Sequence, residues 1–217
     1  MKKLHALVLG ATGATGQELV KLLLNDSYFS KVSVFVRRPM IIKHEKLIVH
    51  TVDFTRLNNY KDLVNGDVFF SALGTTIKDA GSKKDQYLVD YTYQYEFAKI
   101  ASENRVSHYS LVSSIGANEK SYFFYPRIKG YLEESVKCLN FKKIHIFQPP
   151  SLIRQPDLIR YGEKISLKIL NILNKIGLLR SFRPLSVADL ATIMIRKLKT
   201  RNPNKITVYK AKDLFRL

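Results

Sequence analysis

Short apolar runs and amphipathic stretches alternate along most of this chain. Residues 4–9 (LHALVL) are an apolar run of buried-strand length. Residues 17–24 (QELVKLLL) then carry apolar side chains at helical spacing. The succession recurs. Apolar runs at 32–36, 47–52, 67–73, 108–112 and 143–147 predict five further strands. Between them the pattern predicts a short helix before Val64, a long helix over 84–104 and another over 126–138. In the long helix Leu88, Tyr91, Tyr95, Ala98 and Ile100 approximate an apolar stripe, so its tyrosines read as packing. Such alternation is the signature of an α/β fold with a doubly wound parallel sheet. The last third is less regular. Residues 159–179 hold Ile165, Ile169, Ile172, Leu173 and Ile176 at helical spacing, interspersed with Lys164, Lys168 and Lys175. That helix either covers a substrate cleft and packs on the core, or lies on an acidic membrane surface. Ser186 and Asp189 mark a helix start. One domain is expected over 1–217, with a core at 1–150 and substrate-side elements at 151–217.

Between the first strand and the first helix stands Gly10-Ala11-Thr12-Gly13-Ala14-Thr15-Gly16. A helix N-terminus presents unpaired N–H groups and a positive dipole end, which attract phosphate. Glycine lets the backbone approach it closely. The motif therefore reads as a dinucleotide site built from Gly10, Thr12, Gly13, Ala14, Thr15 and Gly16, with a plain structural turn as the alternative. The second strand ends at Arg37-Arg38, with no carboxylate beside them. An acidic residue there suits the free ribose hydroxyls of NAD, whereas arginine suits the 2′-phosphate of NADP. NADP(H) is the expected cofactor, with NAD(H) still open. Asp53 and Phe54 follow the third strand; Asp53 suits either an adenine contact or a helix cap. Leu73, Gly74 and Thr75 follow the fourth, where a cofactor crosses a doubly wound sheet.

Composition narrows the field. The chain has 217 residues, 46% of them hydrophobic, which suits one globular domain. Its single cysteine, Cys138, permits no internal disulfide. The apolar run after Met1-Lys2-Lys3 is too short for a signal peptide, and no stretch reaches the roughly 20 apolar residues of a membrane span. A cytoplasmic protein is expected. The net charge of +18 attracts anions, but the basic residues are scattered, so no specific nucleic-acid partner is expected. The five histidines lack metal-ligand spacing.

Tyr125 and Lys129 stand four residues apart, on one face of a helix. An unperturbed phenol, with a pKa of about 10, is a slow acid at neutral pH, and a nearby ammonium stabilises its anion. Ser113 and Ser114 end the preceding strand, where a hydroxyl can hold a substrate oxygen. With the glycine motif upstream, the segments LVLGATGATGQELVKLL, FSKVSVFVRRP, VDF, SALGTTIKDAG, LVSSIGA and YPRIKG resemble the atypical short-chain dehydrogenase/reductases, in particular the small Tat-interacting-protein-like oxidoreductases. Weaker similarity continues through FQPPSLI and SVADLA. The resemblance implies a single-domain Rossmann fold, NADPH binding, and Tyr125 as acid–base residue, Lys129 as its partner and cofactor contact, and Ser114 as the oxygen-orienting residue. It supplies no substrate. The implied function is reduction of a small carbonyl compound, or else dinucleotide binding by a regulator or scaffold with little turnover, as monomer or homodimer. Two departures from the family pattern stand out. Pro149-Pro150 replaces the usual Pro-Gly, and Pro126 follows Tyr125 directly, which puts that tyrosine at the helix edge.

Overall fold

The computed structural model describes residues 3–155 and 183–215. The expected amphipathic helix at 159–179 lies outside them. Seven strands form one sheet in which every pairing is parallel: β1 (Leu4–Leu9), β2 (Phe29–Val36), β3 (Leu47–Thr51), β4 (Val68–Ser71), β5 (His108–Val112), β6 (Lys143–Gln148) and β9 (Ile206–Lys210). Their order is β3-β2-β1-β4-β5-β6-β9. The chain winds outward in one direction from β1 to β3, then returns and winds outward the other way from β4. The reversal falls between β1 and β4, where a doubly wound sheet forms its ligand crevice. A two-stranded parallel pair, β7 (Leu152–Ile153) with β8 (Leu185–Ser186), stands apart from the main sheet.

Both faces of the sheet are covered. On one face α1 (Ala14–Asn25) buries Leu19, Val20, Leu23 and Leu24, beside Leu190, Ala191 and Met194 of a helix at Val187–Lys199. On the other, Phe97, Ala98 and Ala101 pack with Leu132, Val136 and Phe141 under Leu7, Leu9, Phe69 and Tyr109. Burial on both sides explains the apolar runs of the inner strands; β3, at an edge, has no buried residue. The edge strand β9 was not apparent in the sequence. Only Tyr209 is buried in it, so ITVYK carries neither a full apolar run nor a clean alternation.

The expected helix over 84–104 is present but divided. Preceded by a separate turn of helix, α2 (Ile77–Ala80), it begins as α3 (Lys83–Tyr87), passes through a π-helical turn at Leu88–Thr92, and continues as α4 (Tyr93–Glu103). The π turn inserts a residue into the helical register, and π turns recur at functional sites. Asp90 lies within this turn and is fully buried, between Gln86 and Gln94 at helical spacing. The next helix, α5 (Phe124–Lys137), starts two residues earlier than expected, with Tyr125 and Pro126 in its first turn, where proline is tolerated. Val187–Lys199 is α6, capped by Ser186 as its sequence suggested: Asp189 N–H donates to Ser186 Oγ at 3.0 Å. A last short helix, α7, covers Ala211–Leu214.

Candidate dinucleotide and catalytic cleft

The glycine turn leaves β1 at Gly10, whose φ of +84° is in the left-handed region that favours glycine. A Cβ on Gly10 would lie 2.5 Å from Leu73 N. A Cβ on Gly16 would lie 2.0 Å from Gly10 O, so the helix can start this close to the strand only without side chains. The N-cap of α1 is Gly13; no side chain caps the helix and no acidic residue occupies its first turn. Its leading N–H groups and dipole are thereby left for an anion. This cradle fits a pyrophosphate.

Two cavities flank it along the carboxyl ends of the strands. One, of about 360 Å³, is lined by Gly10, Thr12, Gly13, Arg37, Phe54 and the 72–75 segment. The other, of about 570 Å³, is lined by Gly13, Ala14, Thr15, the 72–78 segment, Ser113, Tyr125, Lys129, Leu152 and Arg154. Leu73, Gly74 and Thr75 border both. The fold therefore brings the glycine turn, the residues after β4 and the Tyr125–Lys129 pair into one continuous crevice.

In the first cavity Arg37 is the sole cation on the lining among the described residues, and Arg38 stands outside it, exposed. Asp53 is not on the lining. Its carboxylate caps the following 3-10 segment (Phe54–Leu63), accepting from Thr55 N at 2.9 Å and Thr55 Oγ1 at 2.7 Å. Of its two sequence roles, the structure shows the cap. Asp79 and Asp85 do reach this lining from α2 and α3, a convergence that linear distance from Arg37 conceals.

In the second cavity Lys129 is 2% exposed and its Nζ lies 6.0 Å from the centre of the Tyr125 ring. Tyr125 is 38% exposed, half in the cleft and half in solvent. The residue that sequence reasoning missed is Asp90. Its Oδ1 lies 3.1 Å from Lys129 Nζ, both groups buried, and its Oδ2 accepts from Thr75 N at 3.1 Å. Burial alone would lower the Lys129 pKa. The carboxylate of Asp90, with Tyr125 and Glu133, outweighs burial, and the pKa is raised, so the ammonium persists. Asp90 also ties the 74–75 loop to α5 through this contact, and Gln86 Nε2 donates to Thr75 O at 3.3 Å. A buried aspartate within a mixed polar-aromatic helix gave no apolar pattern to read; it shares its inward face with Gln86 and Gln94, also buried.

The two serines separate. Ser113 is buried, lines the cleft and donates to Glu133. Ser114 is off the lining, and its hydroxyl donates to Ile115 O at 3.1 Å. Ser113 is thus the serine that the fold turns toward Tyr125 and Lys129, because alternate residues at a strand's end face opposite ways. Pro149 and Pro150 are buried, and Pro149 O accepts from Ile115 N at 2.9 Å.

Comparison with known proteins places the chain in a family and a fold. A sequence family described as NAD(P)H-binding matches residues 10–140. Protein HTATIP2 of Rattus norvegicus is 35% identical over 173 residues, covering 77% of this chain and 71% of its own. Protein FMP52-1, mitochondrial, of Scheffersomyces stipitis is 31% identical over 198 residues, covering 88% and 87%. Among solved structures, Bordetella bronchiseptica WbmG in complex with NAD superposes with a TM-score of 0.72 at 12% identity, over 99% of this chain and 77% of that one. MoeE5 in complex with UDP-glucuronic acid and NAD gives 0.71 at 16%, over 94% and 75%. At such identities these two structures support the Rossmann fold alone.

Proposed function

The chain belongs to the NAD(P)H-binding family that includes HTATIP2 and FMP52, and on that premise we propose that it is an NADPH-dependent reductase of a small carbonyl compound. The observation that carries this reading is the placement of Tyr125 and the buried Lys129 in the same crevice as the uncapped glycine turn. The nicotinamide supplies hydride when bound; the chain's own residues supply the proton and the orientation. Gly10 to Gly16 would hold the pyrophosphate, and Arg37 would hold the 2′-phosphate. Leu73 to Thr75 line the path toward the reacting end. Tyr125 gives its phenolic proton to the carbonyl oxygen as negative charge develops there. The Lys129 ammonium would support the phenolate that remains and would hold the ribose hydroxyls of the bound cofactor. Ser113, with Ser114 behind it in the loop, orients the substrate oxygen. Asp90 keeps Lys129 charged and in place.

The substrate side of the cleft carries Ile77, Leu152 and Val187 together with Lys78 and Arg154, which suits a small, partly apolar molecule. No helix among the described residues is long and apolar enough to cross a membrane. The reading keeps a cytoplasmic location, although the FMP52 relatives are named mitochondrial proteins; subcellular fractionation decides between the two. Screening aldehydes, ketones and quinones with NADPH tests the reading. Substrate-dependent oxidation of NADPH supports it. Tight NADPH binding with no turnover across the panel would favour a dinucleotide-binding regulator.

A further inference from the structure

The wall behind the cleft contains a carboxylate that the proposed reaction leaves unused. Glu133 lies one helical turn beyond Lys129 on α5 and is only 4% exposed. Its Oε1 accepts the Ser113 hydroxyl. Gln148 Nε2, at the end of β6, donates to both of its oxygens at 3.1 Å. Ser113 lines the cleft, whereas Glu133 and Gln148 line a different cavity of about 770 Å³, between residues 115–120, α5 and the β9–α7 corner. The Ser113–Glu133 hydrogen bond therefore crosses the wall between two cavities.

A hydroxyl has one proton to give. An ionised Glu133 can only accept, so it engages that O–H in a hydrogen bond and leaves Ser113 to offer lone pairs to the cleft. A protonated Glu133 can donate to the Ser113 oxygen, which releases the Ser113 O–H toward the cleft. We propose that Glu133 is a positioning residue whose protonation decides whether Ser113 donates to, or accepts from, a group bound in the cleft. The inference rests on the cleft being a reductase site. A carbonyl oxygen needs a donor, so reduction uses the protonated form. An alcohol O–H needs an acceptor, so oxidation uses the ionised form. Glu133 exchanges its proton with the second cavity, and the hydride-transfer step keeps Tyr125 as its proton donor.

The surroundings suit such a group. Burial raises the Glu133 pKa; the hydrogen bonds from Ser113 and Gln148 and the charge of Lys137 pull it down, and Glu134 pushes it up, leaving it raised. Lys129 stands on the cleft side. Glu119 and Lys120 from the 115–120 loop, and Lys210 and Lys212 from β9 and α7, face the second cavity.

Infrared difference spectra across pH read the carboxyl group directly, with no substrate present. The protonated-carboxyl band of Glu133 disappears in Glu133→Gln. In Ser113→Ala its midpoint rises by about one pH unit, roughly the worth of one hydrogen bond to a charged group. An unmoved midpoint overturns the coupling. A second arm uses NADPH-dependent reduction of 9,10-phenanthrenequinone. Wild-type kcat/KM falls as pH rises through that midpoint, and Glu133→Gln loses this limb while NADPH affinity stays within about twofold. A limb that persists in Glu133→Gln overturns the proposal. Absent quinone turnover beside a shifted infrared midpoint counts against the reductase reading alone and still supports the coupling.

Discussion

Replacing Asp90 by asparagine removes the counter-charge of a buried ammonium and leaves its volume almost unchanged. Asp90 and Lys129 are 0% and 2% exposed and 3.1 Å apart, so water screens neither. Breaking a buried pair from one side costs about 3–5 kcal/mol, because the remaining charge is left uncompensated. Against a typical total stability of about 5–15 kcal/mol, that is a large fraction. For a chain of this size each kcal/mol moves the melting temperature by about 2–4 °C, so Asp90→Asn should melt roughly 6–20 °C lower. Lys129→Met alone strands the carboxylate and should cost a similar amount. The double variant removes both charges and should recover most of the loss, since no uncompensated buried charge remains. Chemical denaturation of the four proteins completes the cycle. A coupling of at least about 2 kcal/mol is expected for contacting charges. Additive losses, or a single Asp90→Asn cost under about 1 kcal/mol, would refute the view that Asp90 holds Lys129 charged.

Other outcomes follow from the same geometry. Arg37→Ser should weaken NADPH binding by about one to two powers of ten, the worth of a charged hydrogen bond, and leave NADH nearly unaffected; Arg38→Ser, outside the cavity, should change neither by more than about threefold. Equal losses for both cofactors in an isothermal titration would return Arg37 to the role of a surface charge. Gly16→Val drives a side chain into the Gly10 carbonyl, so dinucleotide binding should be lost below the detection limit even where circular dichroism reports a folded protein. Acid should destabilise the fold through His145, whose pKa burial lowers to about 4, helped by His108, Lys143 and Lys197. The unfolded histidine titrates near 6.5, so its stabilising contribution is whole above that pH and is lost as pH falls from about 6.5 toward 4, by up to about 3 kcal/mol. His145→Phe, measured by urea denaturation at several pH values, should flatten that slope; an unchanged slope would place the acid sensitivity elsewhere.

Much of the fold was legible because its strands are covered on both faces. Residues 4–9 and 108–112 read as apolar runs and are strands over those same residues, β1 and β5. The glycine turn was legible for a different reason: Gly10 and Gly16 pack against backbone, and no other residue fits there. What stayed hidden depends on through-space arrangement. Asp90 sits within a helical stretch whose apolar stripe looks continuous, and it is buried on a separate polar face with Gln86 and Gln94 that the stripe does not mark. Asp79 and Asp85 join Arg37 from forty residues away or more, so the absence of a carboxylate beside Arg37 in sequence did not describe its cavity. The choice between adjacent serines depends on which way the end of β5 faces. Ser113 emerges on the cleft and Ser114 folds back on its own loop. β9 was missed because ITVYK is neither a full apolar run nor a clean alternation, whereas the opposite edge, β3, keeps an apolar run although none of its residues is buried.

The most direct measurement compares wild type with Tyr125→Phe in NADPH oxidation with the best carbonyl substrate from the panel, alongside NADPH binding by titration. Loss of the phenolic proton donor should lower turnover by about a hundredfold or more, while NADPH affinity stays within about twofold. Unchanged turnover in Tyr125→Phe, at equal cofactor affinity, would contradict the assignment of Tyr125 as the proton donor and with it the proposed mechanism.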